Sequence, residues 1–224
     1  MLISFVSCRT EEIKLSEETA LHWKCQKVGL YYATNEIPAE PRNTIDIELT
    51  GCEYAKDELT AKNIATRIAL YVLEKADPNR VRENQEIRIT FLSPDFPHKI
   101  SNNYYAFKID QLRKATYFLN LSTTILESYY SGQKFDLQQE LSTTEIARVD
   151  SLLAMNISRQ DSCTSIEFAT FDVYVNDSTG AVSTALANVV FTKKGDKTIT
   201  ILFENTTNKV VEINCPENEN EISD

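Results

Sequence analysis

SIEFATFDVYVNDSTGAVSTALANVVFTKKGDKTITILFENTTNKVVEI, residues 165–213, decides how the chain folds. It reads as four strands joined by three short polar turns. The first strand, Ser165–Val175, places Ile166 and Phe168 on one parity, then Phe171, Val173 and Val175 on the other. A strand has a side-chain period of two, so this switch requires one extra residue. A β-bulge is therefore expected at Ala169-Thr170, bending the strand and raising its twist. Asn176–Gly180, Lys193–Asp196 and Asn205–Asn208 are the turns, rich in the residues that accept tight backbone geometry. Val182–Thr192 is apolar on both parities around Val189-Val190-Phe191, the pattern of a strand covered on both faces. In the third strand Ile199, Ile201 and Phe203 alternate with Thr198, Thr200 and Glu204, and Lys209–Ile213 is the short fourth strand. Turns this short join antiparallel neighbours.

Upstream, Thr44–Thr50 alternates Ile45, Ile47 and Leu49 with Asp46 and Glu48, the mark of a strand with one buried face. Asp57, with Thr60 in reach, caps a helix from Glu58 to Ala76 whose apolar stripe is Ile64, Ile68, Tyr71 and Val72. Glu86–Leu92 and Tyr105–Ile109 are further strands. A helical crossover permits parallel pairing of the first two strands, while the last two form an antiparallel hairpin. A long helix follows at Leu112–Ser131, with Leu112, Ala115, Leu119, Leu126 and Tyr129 on one stripe and Gly132 as its stop. A shorter helix at Thr143–Met155 turns Ile146, Val149 and Leu153 inward.

The expectation is an α+β protein. Residues 1–39 are a signal remnant, linker and packing segment. A β–α–β–β unit follows at 40–110, a helix-plus-meander domain at 111–215 and an acidic tail at 216–224. From Leu112 to Asn214, the long helix, Tyr129-Tyr130-Ser131-Gly132-Gln133-Lys134-Phe135-Asp136, a second helix and a bent four-strand meander resemble the NTF2-like cone superfamily. That resemblance implies a curved sheet wrapped round helices, with a cone mouth near Tyr129 and Tyr130 as candidate binding residues. Its enzymes use acid–base chemistry inside the cone, and Asp172 is the carboxylate that would serve here. Asp172 alternates with Phe171 and Val173, so it faces away if they face the core.

The N-terminal run Met1-Leu2-Ile3-Ser4-Phe5-Val6-Ser7-Cys8 resembles the end of a bacterial lipoprotein signal. It departs from that pattern in Phe5, where leucine is usual, and in lacking a basic n-region. The resemblance implies lipidation at Cys8 and a lipid-anchored, cell-envelope location, with a membrane surface as partner. The alternative for this run is a short buried strand in a cytoplasmic protein.

The charge distribution excludes several functions. Fifteen basic and 17 acidic residues lie up to Arg113, against 8 and 16 from Lys114 onward, so neither part has the basic footprint of a nucleic-acid binder. No run approaches the ~18 apolar residues of a membrane span. The five glycines form no phosphate-binding motif, and no cofactor is expected. His22 and Cys25 lie at ligand spacing without a second pair to complete a zinc site. His98 sits in a polar loop without a nucleophile motif, and Asn120, Asn156, Asn176 and Asn205 head N-x-[ST] sequons. Beyond Cys8 the cysteines are Cys25, Cys52, Cys163 and Cys215, which allow three pairings. Pairing within each half, Cys25–Cys52 and Cys163–Cys215, is the alternative to weigh, but Cys163 and Cys215 would stand ~14 Å apart across a simple meander, against the ~7 Å limit of a disulfide. All four are expected as buried free thiols. The function expected is a binding or scaffolding lipoprotein without catalysis, whose partner is a protein or a small apolar ligand. The alternatives are an acid–base enzyme on a small hydrophobic substrate and a cytosolic protein-interaction module.

Overall fold

A computed structural model of the protein describes residues 4–35, 42–92, 104–132, 141–157, 162–176 and 178–216. The chain divides into two compact units, Met1–Arg113 and Lys114–Asp224. Both contain helices and a four-stranded sheet, so the fold is α+β.

The first unit begins with α1 (Ser4–His22), followed by β1 (Cys25–Asn35) and β2 (Arg42–Cys52). The short buried strand considered for the N-terminal run is not formed, because the backbone is helical from Ser4. Leu15 and Thr19, four apart, are buried in α1, so the helix is anchored along one stripe. After β2, Asp57 and Thr60 close a reciprocal capping box: the Thr60 amide donates to Asp57 Oδ1 at 2.8 Å and the Asp57 amide to Thr60 Oγ1 at 3.0 Å. They start α2 (Glu58–Lys75), which is followed by α3 (Pro78–Glu83), β3 (Glu86–Leu92) and β4 (Tyr104–Lys108).

The sheet order is β1-β2-β3-β4. β2 and β3 are parallel across the helical crossover, and β3 and β4 are antiparallel. The expected β–α–β–β unit is present, extended at its N-terminal end by α1 and β1. Ile45, Ile47 and Leu49 lie in register with Ile87, Ile89 and Phe91, all six at most 1% exposed. On α2, Ala61, Ala65 and Ala69 join Ile64, Ile68 and Val72 in the core. Alanines at every fourth position let the helix backbone approach the sheet closely.

β1 pairs antiparallel with β2 and sets Cys25 opposite Cys52, where they form a disulfide. This corrects the expectation of four buried free thiols. The pairing depends on β1, which has no clean alternation to announce it. Cys163 and Cys215 form no disulfide, and both are half-exposed rather than buried.

The division between the units falls inside α4 (Ile109–Ser131). In the second unit α5 (Thr143–Asn156) starts at Ser142, whose hydroxyl accepts from the Glu145 amide at 3.3 Å. The meander comprises β5 (Cys163–Val175), β6 (Val182–Thr192), β7 (Gly195–Glu204) and β8 (Val210–Asn214), antiparallel in sequence order. The bulge falls where the parity switch requires it: Phe168 faces Asn188, Thr170 faces Ala187, and Ala169 is the extra residue. Thr184, Leu186, Asn188 and Val190 form the buried face of β6, with Ile199, Ile201 and Phe203 beside them. The opposite face of β6 is only half-covered at Val189 and Phe191, short of the two-sided burial expected.

Phe118 on α4 stacks on Phe203 at 4.5 Å between ring centroids and joins helix to sheet. Leu119, expected inward, is half-buried, and the fully buried position is Phe118. On α5, Val149 and Leu153 are fully buried while Ile146 is half-buried. β8 is an edge strand, open to pairing with another chain. Arg148 of α5 blocks part of that edge, donating to the carbonyls of Val210 at 2.6 Å and Val211 at 3.1 Å.

Candidate functional site

The residues picked out from sequence scatter. The Cys8 backbone belongs to α1, while its side chain lies outside the described residues, as do His98 and the turn from Gln133. Tyr129 is 2% exposed and its hydroxyl donates to the Ile157 carbonyl at 2.7 Å, so its ring packs the interior. Tyr130 is half-buried and meets Tyr129 edge-on at 5.7 Å. Asp172 is half-buried on β5. His22 is exposed, with its ring beside those of Trp23 (4.4 Å) and Tyr71 (6.1 Å), and the thiol of Cys25 is committed to its disulfide, so the pair does not form a ligand set. Among the described residues no group of three or more His, Cys, Asp or Glu side chains could hold a metal ion.

Polar chemistry gathers instead on the face of the first sheet opposite Ile45, Ile47 and Ile87. Register builds it row by row. Ala33, Thr44, Glu86 and Lys108 form one row; Tyr31, Asp46, Arg88 and Ala106 the next; Gly29, Glu48, Thr90 and Tyr104 the third. Arg88 Nε donates to Glu86 Oε2 at 2.8 Å, with side-chain exposures of only 20% and 12%. A charge-assisted bond between largely buried groups two residues apart on one strand fixes the guanidinium plane. Burial works against the charge of Arg88, yet the bond to Glu86 and the fields of Tyr104, Glu86 and Asp46 outweigh it and hold its pKa above the ordinary arginine value. Burial pushes the Tyr104 phenol up; Arg88 opposes this, while Glu86 and Asp46 add to it. At neutral pH the face therefore presents a fixed cation and a protonated phenol, with the acidic side chains of Asp46, Glu48 and Glu86 in the same three rows. Donors and acceptors alternate at strand spacing.

The signal for this cluster was already in the alternation. Asp46 and Glu48 on one strand, Arg88 and Thr90 on the next, read as two solvent-facing sets. Only the parallel register brings Asp46 opposite Arg88.

No protein-family model, curated protein or solved structure matches this chain. The site is therefore read from its own residues. Elsewhere in the first unit, a cleft of about 560 Å³ opens between α1 and the α2–α3 corner. Arg80 lies over the Tyr32 ring at 5.2 Å on one wall, and Glu11, Glu12 and Glu18 line the other. Among the described residues no helix is long and apolar enough to cross a membrane.

Proposed function

We propose that the protein is a cell-envelope module, lipid-anchored through Cys8, that binds or scaffolds a partner without catalysis of its own. The observation that carries this reading is the Cys25–Cys52 disulfide. Disulfides persist in oxidising compartments, the bacterial periplasm and cell surface among them, and are rare in a reducing cytosol. The apolar run ending Val6-Ser7-Cys8 supports the same compartment. A lipid chain on Cys8 would anchor the chain to a membrane surface rather than span it. Cys8 lies on α1 without an intervening loop, so the anchor would hold the first unit close to the bilayer. The second unit, in this reading, is an NTF2-like helix-plus-meander domain, supported by the order α4, α5, β5–β8 and by the bulge in β5.

Mass spectrometry of the mature N-terminus, from the whole gene expressed in a bacterium with a lipoprotein pathway, tests this. The expected species begins at an acylated Cys8 and fractionates with membranes. An unmodified Met1 in the soluble cytosolic fraction would overturn both anchor and compartment.

A further inference from the structure

The polar face of the first sheet has an aromatic at each end. On β1, Tyr31 lies two residues from Gly29, on the same face. A Cβ built on Gly29 would meet the Tyr31 Oη, Cε2 and Cζ at 2.6–2.9 Å. The ring therefore lies down along the strand, in the space that only glycine leaves free. Its outer side is turned to solvent, and the residue is 50% exposed. On β4, at the other edge, Tyr104 is 43% exposed. Three strand spacings and one two-residue step separate them, ~16 Å, or roughly three to four linked pyranose rings.

Between the tyrosines lie Asp46, Glu48, Arg88 and Thr90, flanked by the small residues Gly29 and Ala106. This centre is charged and hydrogen-bonding, the reverse of a protein–protein interface, whose core is depleted in charge. Its carboxylates repel the phosphates of nucleic acid and of anionic membranes. A small apolar ligand needs a concave apolar lining, which a sheet face of this composition lacks. A sugar chain meets all the terms. Its C–H faces stack on tyrosine rings, and each hydroxyl both donates and accepts, matching carboxylates beside a fixed guanidinium.

The geometry points to an oligosaccharide-binding surface on this face, with Tyr31 and Tyr104 as its two stacking platforms and Glu48 and Arg88 as its hydroxyl partners. It deepens the binding-module reading by naming the ligand class, and it rests on that reading.

Saturation-transfer NMR and calorimetry on the intact, disulfide-bonded chain test it, with cellohexaose, chitohexaose and mannohexaose as probes. Transfer to the pyranose C–H protons of at least one probe is expected. Tyr31→Ala and Tyr104→Ala should each weaken binding roughly ten-fold, the equivalent of ~1.4 kcal/mol of ring contact. Tyr31→Phe keeps the platform and should bind within about two-fold of the parent, while Gly29→Ala, which drives the ring off the strand, should weaken binding measurably. Unchanged far-UV dichroism and Trp23 emission show that each variant is folded. No transfer to any probe overturns the inference, as does unaltered affinity in folded Tyr31→Ala and Tyr104→Ala. Lipidation is read separately. An unlipidated chain that binds sugar sinks the anchor alone, and a lipidated chain that binds none sinks the sugar site alone.

Discussion

Replacing Asn188 by leucine should make the second unit more stable. Asn188 sits in the middle of β6, between Phe168 of β5 and Ile199 of β7, and is 1% exposed. Among the described residues neither its Nδ2 nor its Oδ1 has a hydrogen-bond partner. Thr184, four residues away on the same face, shows the contrast: its hydroxyl donates to Asn205 Oδ1 at 2.8 Å. Leaving an amide buried and unpaired costs ~1–3 kcal/mol on mutational scales. A leucine buried there contributes ~1.5–3 kcal/mol of apolar burial. It branches at the same carbon as asparagine but is bulkier, and crowding subtracts ~1–3 kcal/mol. The net expectation is a gain of about 1–3 kcal/mol. Trp23 is the sole tryptophan and lies in the first unit, so its emission does not follow this site. Urea titration read by hydrogen exchange in peptides covering β6 and β7 does. The midpoint should rise with an unchanged m-value. A loss of 1 kcal/mol or more would refute the reasoning, since it would mean the amide is satisfied in the folded protein.

The disulfide joins residues separated by 27 in sequence, and the loop-closure relation gives roughly 3–4 kcal/mol for such a link. In urea titrations followed by Trp23 emission, Cys25→Ser/Cys52→Ser and the reduced parent should therefore share one lowered midpoint; an unmoved midpoint would count against a stabilising link. The phenols of Tyr71, Tyr104 and Tyr105 are all raised, each mainly by burial, with Glu18 adding at Tyr71 and Glu58 at Tyr105. Above the ordinary tyrosine value of ~10 the unfolded chain loses these protons first, so stability present below that pH is lost as pH rises further, towards the folded values. Urea midpoints measured from pH 9 to 11 should fall, and the triple phenylalanine variant should fall less steeply.

The alternation of Ile45, Ile47 and Leu49, the Asp57–Thr60 cap and the parity switch at Ala169-Thr170 each express a rule that works over a few residues. Period, capping and bulge need no knowledge of distant chain. They were therefore readable from sequence, and they yielded both sheets in outline. α1 and β1 were not readable in this way. Among the described side chains of α1 only Leu15 and Thr19 are buried, and β1 alternates poorly, with the paired tyrosines Tyr31 and Tyr32 exposing one ring and half-burying the other. Their places come from what they pack against. The same holds for Phe118 over Leu119, a choice between adjacent positions settled by the ring of Phe203.

By itself, then, the sequence determined the class, the two β-rich segments and the bend in the second, because local periodicity and turn chemistry carry that information. Only the tertiary structure decided the disulfide and the assembly of Asp46, Glu86, Arg88 and the two tyrosines on one face. Strand register is set by long-range pairing. It places residues 40 and more positions apart side by side, which no rule of short period can do.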